Sequence, residues 1–519
     1  MAWRAMLAAL RFVGVLLVLN GCACVALADE AHFNVTDIRI EGDNPLPDAQ
    51  VKQLLQPYLG EQEGFLGLQT AAEALEELLQ QRGYAFHKVV IPPQRTTTGI
   101  IVFKVVAYRL DKILVEGNQH FAATSVRASV PPLRSEQTPN SRELARAVEL
   151  ANNHPVRQVG VTVKRSAREG YLDATLKVAD RSPQQLFAAI NNRGSSSTGE
   201  TRASLGYQFS NLFNRDHTVT LTYTTSPGHW GDVAQYGANY VVPLYGLAGQ
   251  LSVFYTYSDV DSGTVAEFFH VSGRGRFGGL QYVQHLLPWG AYRHHVQVSL
   301  EDRLFENNVD FRGLPIGSDV RSRPIGLEYG GDWVYPEANY SFQLGYFHNL
   351  PGGPSNSGGA YTAARPDAER TWGVFRASAA ADHRLPRSWL VRGRLNAQYA
   401  RAPLIPGEQL GFGGADALRG FDERLVAGDS GAVASLELWA PPLKWGVTML
   451  GFIDSGYGTR EKTQPGEKDR LSLTSVGIGG RWRPNDHFTL TFDWGVVTKG
   501  EANAQSGDNS LHFNLLVRP

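Results

Sequence analysis

The sequence predicts two small α+β modules followed by an all-β transmembrane barrel of about 16 antiparallel strands. Three observations lead to this prediction. The chain begins with a candidate secretory signal, one strand-turn pattern occurs twice in the first third, and the remainder repeats short alternating segments. The composition agrees, since 519 residues include 55 Gly and 24 Phe but only 3 Met. We divide the chain into a signal peptide (1–28), a first module (29–109), a second module (110–183) and the barrel (184–519).

The amino end has the order of a secretory signal. Basic residues precede the apolar run Phe12–Leu19, and Ala26–Ala28 offers a small-residue cleavage site. Both cysteines, Cys22 and Cys24, lie before that site, so a chain cut after Ala28 contains no thiol, which suits an oxidising compartment. The alternative is lipidation at Cys22, although Asn20 fits a lipoprotein signal poorly.

The two modules begin with the same pattern. Ile38–Asp43 (IRIEGD) and Ile113–Asn118 (ILVEGN) are both alternating strands closed by a glycine turn. In each copy, apolar residues at helical spacing follow and two further strands come after them, so the predicted order is β-α-α-β-β. The proposed helix signals are a cap at Asp48, a capping box at Thr70 and Glu73, a stop at Gly83, and a capping pair at Asn140 and Glu143.

This order, present twice behind a signal peptide, resembles the POTRA (polypeptide-transport-associated) domain. A small sheet of this kind has an open edge, to which an extended peptide can add a strand. The alternative is that the two modules only space or brace the barrel.

From about Gln184 onward the pattern changes to segments of ~10 residues that alternate apolar and polar side chains, as transmembrane barrels do. In Leu390–Ala400, for example, Leu395 and Tyr399 alternate with Arg394 and Gln398. The predicted strands begin near Gln184, Thr201, His217, Val233, Gly249, His270, Tyr292, Ser322, Ala338, Arg370, Trp389, Gly431, Trp445, Ser472, Phe488 and Asn509.

A barrel of this size encloses an aqueous channel or a plug, because side chains alone cannot fill its lumen. The polar columns favour that wet lumen, together with outer-membrane lipid around the wall. A soluble β-sandwich or a secreted adhesin is the competing architecture.

A glycine-rich stretch (404–431) separates the eleventh and twelfth segments, which makes it the sixth extracellular loop if the first strand rises from the periplasm. Two segments later, Asp454 alternates with Ile453 and therefore faces the lumen. The residues that stand out in the loop and in this strand are Leu418, Arg419, Gly420, Phe421, Gly428, Asp429, Gly431, Phe452, Asp454 and Gly456.

Taken together, these features resemble the TpsB transporters of two-partner secretion, the haemolysin and filamentous-haemagglutinin exporters of the POTRA-barrel superfamily. The resemblance implies an outer-membrane pore that exports an unfolded TpsA-like cargo, a protein that folds as a β-helix. It also implies that the loop folds into the barrel and that Arg419 pairs with Asp454. Gly420 would allow close backbone approach, and Phe421 would seat the loop tip against the wall.

Three features depart from the family pattern. Leu418 stands where valine is usual, and Pro519 is the last residue where many barrels end in Phe; Phe513 lies on the outward face of the last strand but is not terminal. There is also no room for a plug helix before Phe33. The channel is then closed by the loop alone, or it leaks.

Other functions fit less well. The Gly428–Gly431 sequence (GDSG) resembles the nucleophile turn of trypsin-like proteases, but that triad belongs to a soluble double barrel. A barrel-embedded hydrolase would leave the two modules unexplained. We therefore expect no enzyme, cofactor or metal site, and a net charge of -1 gives no reason to expect nucleic acid. We expect a monomer; an outer-membrane protein insertase of the same superfamily is the main alternative, and a passive porin or adhesin is a weaker one.

Overall fold

The computed structural model describes residues 32–63, 65–194, 199–230, 233–259, 264–265, 269–270, 274–306, 310–311, 314–315, 319–463 and 465–518. The predicted signal peptide, the lipidation site at Cys22 and the terminal Pro519 lie outside these residues. The chain divides into two compact units, each built from two stretches of sequence. The first unit contains the residues up to Gln81 together with His87–Val106. The second contains Arg82–Phe86 together with the residues from Ala107 onward. No helix in the described part of the chain is long and apolar enough to cross a bilayer.

The first unit packs one long helix against a small sheet. Its described strands and helices are β1 (His32–Val35), β2 (Asp37–Gly42), α1 (Asp48–Leu55), a 3₁₀ turn (Gln56–Tyr58), β3 (Gly60–Glu63), α2 (Leu66–Gln81), β4 (His87–Val90), a 3₁₀ turn (Thr96–Thr98) and β5 (Ile100–Ala107). The strand order is β2-β5-β4, with β2 and β5 parallel. The buried stripe of α2, including Leu68, Leu75 and Leu79, covers the sheet because these residues recur on one helix face.

Two predicted helix starts in the first module are wrong. Pro47, not Asp48, occupies the cap position of α1, so Asp48 is already the first helical residue. The second helix starts at Leu66, one turn before the expected capping box, and the Thr70 hydroxyl donates to the Leu66 carbonyl at 3.0 Å. The helix begins earlier because Leu68 is buried in the core, which extends the apolar face of α2 toward its amino end.

The second module has the same strand order as the first. It contains β6 (Arg109–Glu116), α3 (Ala123–Ala128), α4 (Ser141–Asn152), β7 (Arg157–Arg165) and β8 (Tyr171–Asp180), ordered β6-β8-β7. Asn140 caps α4 as predicted, since its side chain accepts from the amides of Arg142 and Glu143. Gly42 ends β2 and Gly117 follows β6, at φ values of 86° and 85°, which explains why the repeat retains glycine there.

The remaining strands form a closed antiparallel barrel, which confirms the predicted fold class. Among the described residues it has 16 strands, counting β20 and β21 as one because only Arg323 separates them and both pair with β17. Their bounds are β9 (Gln184–Asn191), β10 (Arg202–Leu212), β11 (His217–Thr225), β12 (Gln235–Leu244), β13 (Gly249–Ser258), β16 (Gly275–His285), β17 (Tyr292–Phe305), β20 (Val320–Ser322), β21 (Pro324–Val334), β22 (Ala338–Asn349), β23 (Gly373–Arg384), β24 (Leu390–Ala400), β27 (Ser430–Trp439), β28 (Val447–Thr459), β29 (Arg470–Asn485), β30 (Phe488–Lys499) and β31 (Asn509–Val517).

Short elements lie between the barrel strands. They are β14 (Thr264–Val265), β15 (Phe269–His270), β18 (Asp310–Phe311), β19 (Leu314–Pro315), α5 (Gly358–Ala364), β25 (Leu410–Phe412), β26 (Val426–Gly428) and 3₁₀ turns at Tyr245–Leu247, Pro386–Ser388, Pro406–Glu408 and Lys444–Gly446. We call Leu350–Trp372, between β22 and β23, loop 5, and Arg401–Asp429, between β24 and β27, loop 6.

The wall alternates as the sequence predicts. Apolar side chains such as Leu395, Tyr399 and Ile453 are exposed on the outside, where lipid covers them. Their neighbours point inward: Gln398 donates to the backbone of loop 6, and Asp454 is fully buried.

A buried polar cluster, which we call the joint, ties the second module to the periplasmic turns of the barrel. Arg157 on β7 pairs with Asp216 at 2.7 Å, and both side chains are buried. The hydroxyls of Ser125 and Tyr245 also donate to Asp216, at 3.0 and 2.8 Å. Nearby, His154 Nε2 lies 2.7 Å from the Ser210 carbonyl oxygen. The joint therefore fixes the second module at the entrance of the barrel.

Candidate functional site

Loop 6 folds back into the barrel. It passes through the 3₁₀ turn Pro406–Glu408 and forms a two-strand hairpin in which β25 pairs with β26. Beyond this hairpin lies the tip, which contains Leu418–Phe421. All four tip residues are buried against the inner wall, so the loop occupies part of the lumen.

The tip is held by a forked ion pair between Arg419 and Asp454. Arg419 Nε donates to Asp454 Oδ2 at 2.8 Å, and Nη2 donates to Oδ1 at 2.7 Å. The Arg419 amide adds a third bond to the same carboxylate, at 3.1 Å. Because the pair is buried, removing one partner leaves an uncompensated charge in a poorly solvated place.

Two further carboxylates surround the same guanidinium. Arg419 Nη1 donates to Glu437 Oε1 at 2.7 Å and lies 3.7 Å from Asp493 Oδ1. Arg481 binds Asp493 through both of its terminal nitrogens, at 2.9 and 3.0 Å. The Arg419 guanidinium also lies 3.6 Å from the centre of the Phe452 ring, a cation–π contact. Three barrel carboxylates thus face two guanidinium groups.

Gly420 lets the loop backbone touch the barrel wall. Its φ of 92° lies in the left-handed region, and a Cβ atom there would come within 2.9 Å of the Gly495 carbonyl carbon. The Gly420 amide donates to His512 Nε2 at 3.0 Å. A side chain at position 420 would therefore push the tip off β30.

Apolar contacts complete the seat of the tip. Leu418 and Phe421 pack in one buried cluster with Phe412, Val433, Leu471, Leu473 and Val497. Gly456 makes room for this cluster, since a Cβ atom there would approach Leu418 Cδ1 to 2.7 Å.

The Gly428–Gly431 segment lies where the loop rejoins the wall. Gly428 ends β26, and Gly431 is the second residue of β27. Asp429, between them, is fully buried and binds Arg365 of loop 5 through both oxygens. The segment is thus an attachment point of the loop.

A cavity of about 270 Å³ borders the tip. Its walls include Arg419, Glu437 and Asp493, and also Arg392 and Arg394 of β24. The cavity gives water or an incoming polar group access to Glu437 and Asp493, two of the carboxylates around Arg419. Exchange of ionic contacts can therefore weaken the hold on the tip, and its release also separates the apolar contacts of Leu418 and Phe421.

Sequence reasoning missed several residues of this site. Glu437 and Ser435, which also bonds Arg419 at 2.9 Å, had a detectable signal. They alternate with Leu436 and Leu438, so they point inward. His512 alternates with Leu511 and Phe513, so it carries the same signal. No local pattern marks Arg365, because its partner is distant in sequence.

Comparison with known proteins gave consistent matches. Residues 170–482 match the family model "Haemolysin secretion/activation protein ShlB/FhaC/HecB", and residues 33–107 match "POTRA domain, ShlB-type". The chain is similar to the outer membrane transporter CdiB of Dickeya dadantii, 24% identical over 483 residues (87% of this chain, 81% of CdiB).

A second relative is the heme/hemopexin transporter protein HuxB of Haemophilus influenzae, 20% identical over 449 residues (83% of this chain, 77% of HuxB). Among solved structures, CdiB from Escherichia coli superposes with a TM-score of 0.81 at 19% identity, covering 96% of this chain and 92% of that one. That likeness concerns the fold.

Proposed function

Because this chain belongs to the haemolysin secretion/activation family of ShlB, FhaC and HecB, we propose that Arg419 and Asp454 form the latch of an export pore. Family membership confirms the expectation of a two-partner exporter: the barrel lies in the outer membrane, the POTRA domain lies in the periplasm, and the pore exports a secreted partner protein. The proposal concerns how loop 6 controls that pore.

The observation that carries the proposal is the buried fork between Arg419 and Asp454 inside the barrel. A loop that only covered the mouth would leave its arginine solvated and its charge screened. Here the arginine instead lies inside the barrel, bound to a carboxylate on β28, so the loop obstructs the route of a cargo. Export then requires that the tip leave this position.

We propose that cargo enters as an extended chain and adds a strand to an open sheet edge of the modules. The edges are β2 and β4 in the first sheet and β6 and β7 in the second. Backbone pairing at such an edge recognises an unfolded chain with little dependence on its side chains. Folding of the cargo into a β-helix outside the cell makes transport directional. The transporter acts as a monomer, because a single chain closes the whole barrel.

The test is deletion of the gene in its own host, with the protein encoded by the adjoining open reading frame as the candidate cargo. We expect that one protein to disappear from the culture medium while other outer-membrane proteins keep their levels. Re-expression of the intact chain should restore its secretion. Broad loss of outer-membrane proteins would contradict the proposal and support the insertase alternative.

A further inference from the structure

Loop 6 is attached to its surroundings at two places. One is the tip at Arg419. The other, which we call the base, lies where the loop leaves and rejoins the wall. The base consists of two buried carboxylates and their three arginine partners: Glu408, Asp429, Arg303, Arg365 and Arg376.

Asp429 joins three extracellular loops. Arg365 of loop 5 donates to its two oxygens at 2.6 and 3.0 Å. The amide of Leu404, at the start of loop 6, donates at 2.9 Å, and the amide of Glu461, between β28 and β29, donates at 2.8 Å. Arg365 also donates to the carbonyl of Glu461 at 3.0 Å. Moving Asp429 would disturb all of these segments together.

Glu408 attaches the other side of the base to the barrel wall. Its Oε2 accepts from Arg303 of β17 at 2.7 Å and from Arg376 of β23 at 3.2 Å. Its Oε1 accepts from the Ser322 hydroxyl at 2.6 Å. Glu408 is almost fully buried, so separating it from both guanidinium groups would leave its own charge without solvent or an ionic partner.

Loop 5 closes over the base. Helix α5 and the following residues place Tyr361 and Trp372 in a buried apolar cluster with Leu404 and Ile405 of loop 6. The Trp372 indole donates to the Tyr361 hydroxyl at 3.3 Å. This cluster adds apolar packing to the ionic contacts of the base, and a cavity borders the tip.

We infer that Arg365 is a positioning residue that makes the base a fixed pivot, so that the pore opens by release of the tip while the base stays in place. This inference rests on the proposed function, since it describes how the export pore opens. The geometry favours it because a polar group in the cavity can replace the contacts of Arg419. Release of the base requires three arginines to leave two carboxylates and loop 5 to lift.

Two engineered disulfides test this directly. For the tip, we choose Leu418→Cys with Gly456→Cys, because a Cβ atom at Gly456 would lie 2.7 Å from Leu418 Cδ1. For the base, we choose Phe305→Cys with Gly407→Cys, because a Cβ atom at Gly407 would lie 2.5 Å from Phe305 Cδ1. In both pairs the two positions face each other closely, and a disulfide requires such a short separation between the two Cβ atoms.

Export of the protein encoded by the adjoining open reading frame is measured for each pair, oxidised and then reduced, with crosslink formation checked by mass spectrometry. We expect the oxidised tip pair to lower export at least about tenfold, with recovery on reduction. The oxidised base pair should export as much as its reduced form. Loss of export in the oxidised base pair, or normal export in the oxidised tip pair, would overturn the inference.

A second experiment needs no cargo, so its failure is distinguishable from failure of the proposed function. Purified protein in planar bilayers is compared with Arg365→Ala, Arg365→Lys and Lys468→Ala. Lys468 forms an exposed ion pair with Glu501 elsewhere on the extracellular side and is the matched control.

We expect Arg365→Ala to raise the resting conductance several-fold, Arg365→Lys to raise it less, and Lys468→Ala to leave it unchanged. Heat-modifiable migration on gels confirms that each barrel is folded. A wild-type conductance for folded Arg365→Ala would refute the positioning role.

Discussion

The latch in the lumen and the joint at the periplasmic entrance are both built around one buried arginine, but they differ in charge balance. In the joint, Arg157 faces one carboxylate, Asp216, which two neutral hydroxyls also satisfy. In the latch, Arg419 faces Asp454, Glu437 and, slightly further away, Asp493. The joint is balanced, whereas the latch has more carboxylates than cations.

This difference separates a fixed contact from one that can change partners. A balanced pair has no spare carboxylate, so its arginine has no second charged partner to bind. The latch gives Arg419 several carboxylate acceptors, so its bonds can be exchanged one at a time. We therefore expect the joint to behave as a rigid connection and the latch as the moving part.

The largest effect on export is expected from Arg419→Ala, which removes the arginine of the latch. It leaves Asp454 and Glu437 without the cation they share, while Asp493 keeps Arg481, and losing one partner of a buried pair costs about 3–5 kcal/mol. Asp454→Ala should act in the same direction. We expect export to need a tip that has a defined seat to leave and to return to, so both variants should export at least about tenfold less cargo while the barrel remains in the outer membrane.

Arg394→Ala is the matched control for this prediction. Arg394 borders the same cavity but has no ion-pair partner among the described residues. Secretion into the medium and membrane fractionation give the two readouts. Normal export by both latch variants would rule out the proposed latch.

The next effect is expected from Arg157→Ala, which tests whether the joint is the rigid partner in the comparison. It leaves one buried carboxylate that keeps two hydroxyl donors, so the loss should be about 3 kcal/mol. Limited proteolysis should then release the modules from the barrel more readily. Arg168→Ala, in an exposed pair with Glu136 of the same module, should leave proteolysis unchanged. Equal resistance of all three proteins would mean that the joint does not hold the module.

The sequence predicted the barrel better than the site. Each barrel strand begins within about five residues of its predicted start. The largest error is for β16, which was predicted to begin near His270 and begins at Gly275. The starts could be predicted because the alternation of apolar and polar side chains is a local property of every strand. The predicted pairing of Arg419 with Asp454 came from a family resemblance, not from a pattern in the residues. Glu437 was readable from its alternation with leucines, but Arg365 was not, since its partner Asp429 lies far along the chain.

A smaller effect on the stability of the joint is expected from Tyr245→Phe, which removes one of the two hydroxyl groups that donate to Asp216. The hydroxyl donates to Asp216 at 2.8 Å and accepts from Arg157 Nη2 at 3.2 Å. Loss of such a bond costs about 1 kcal/mol, while the ring still fills its place. Thermal unfolding monitored by proteolysis should shift in the direction seen for Arg157→Ala, but less. A shift as large as that of Arg157→Ala would show that the hydroxyl, not the ion pair, dominates the joint.

The smallest effect is expected from pH, which should change the stability of the joint through His154. Burial lowers the pKa of His154, and the neighbouring Arg157 lowers it further. The unfolded chain therefore binds a proton on this residue first as the pH falls below about 6.5. The stability contributed by neutral His154 is complete above that pH and declines below it. His154→Gln keeps a donor for the Ser210 carbonyl but cannot titrate, so protease resistance of the joint should fall less between about pH 7.5 and about pH 5.5 than in the unmodified chain. An identical decline in both proteins would assign the pH dependence to other groups and leave His154 a purely packing role.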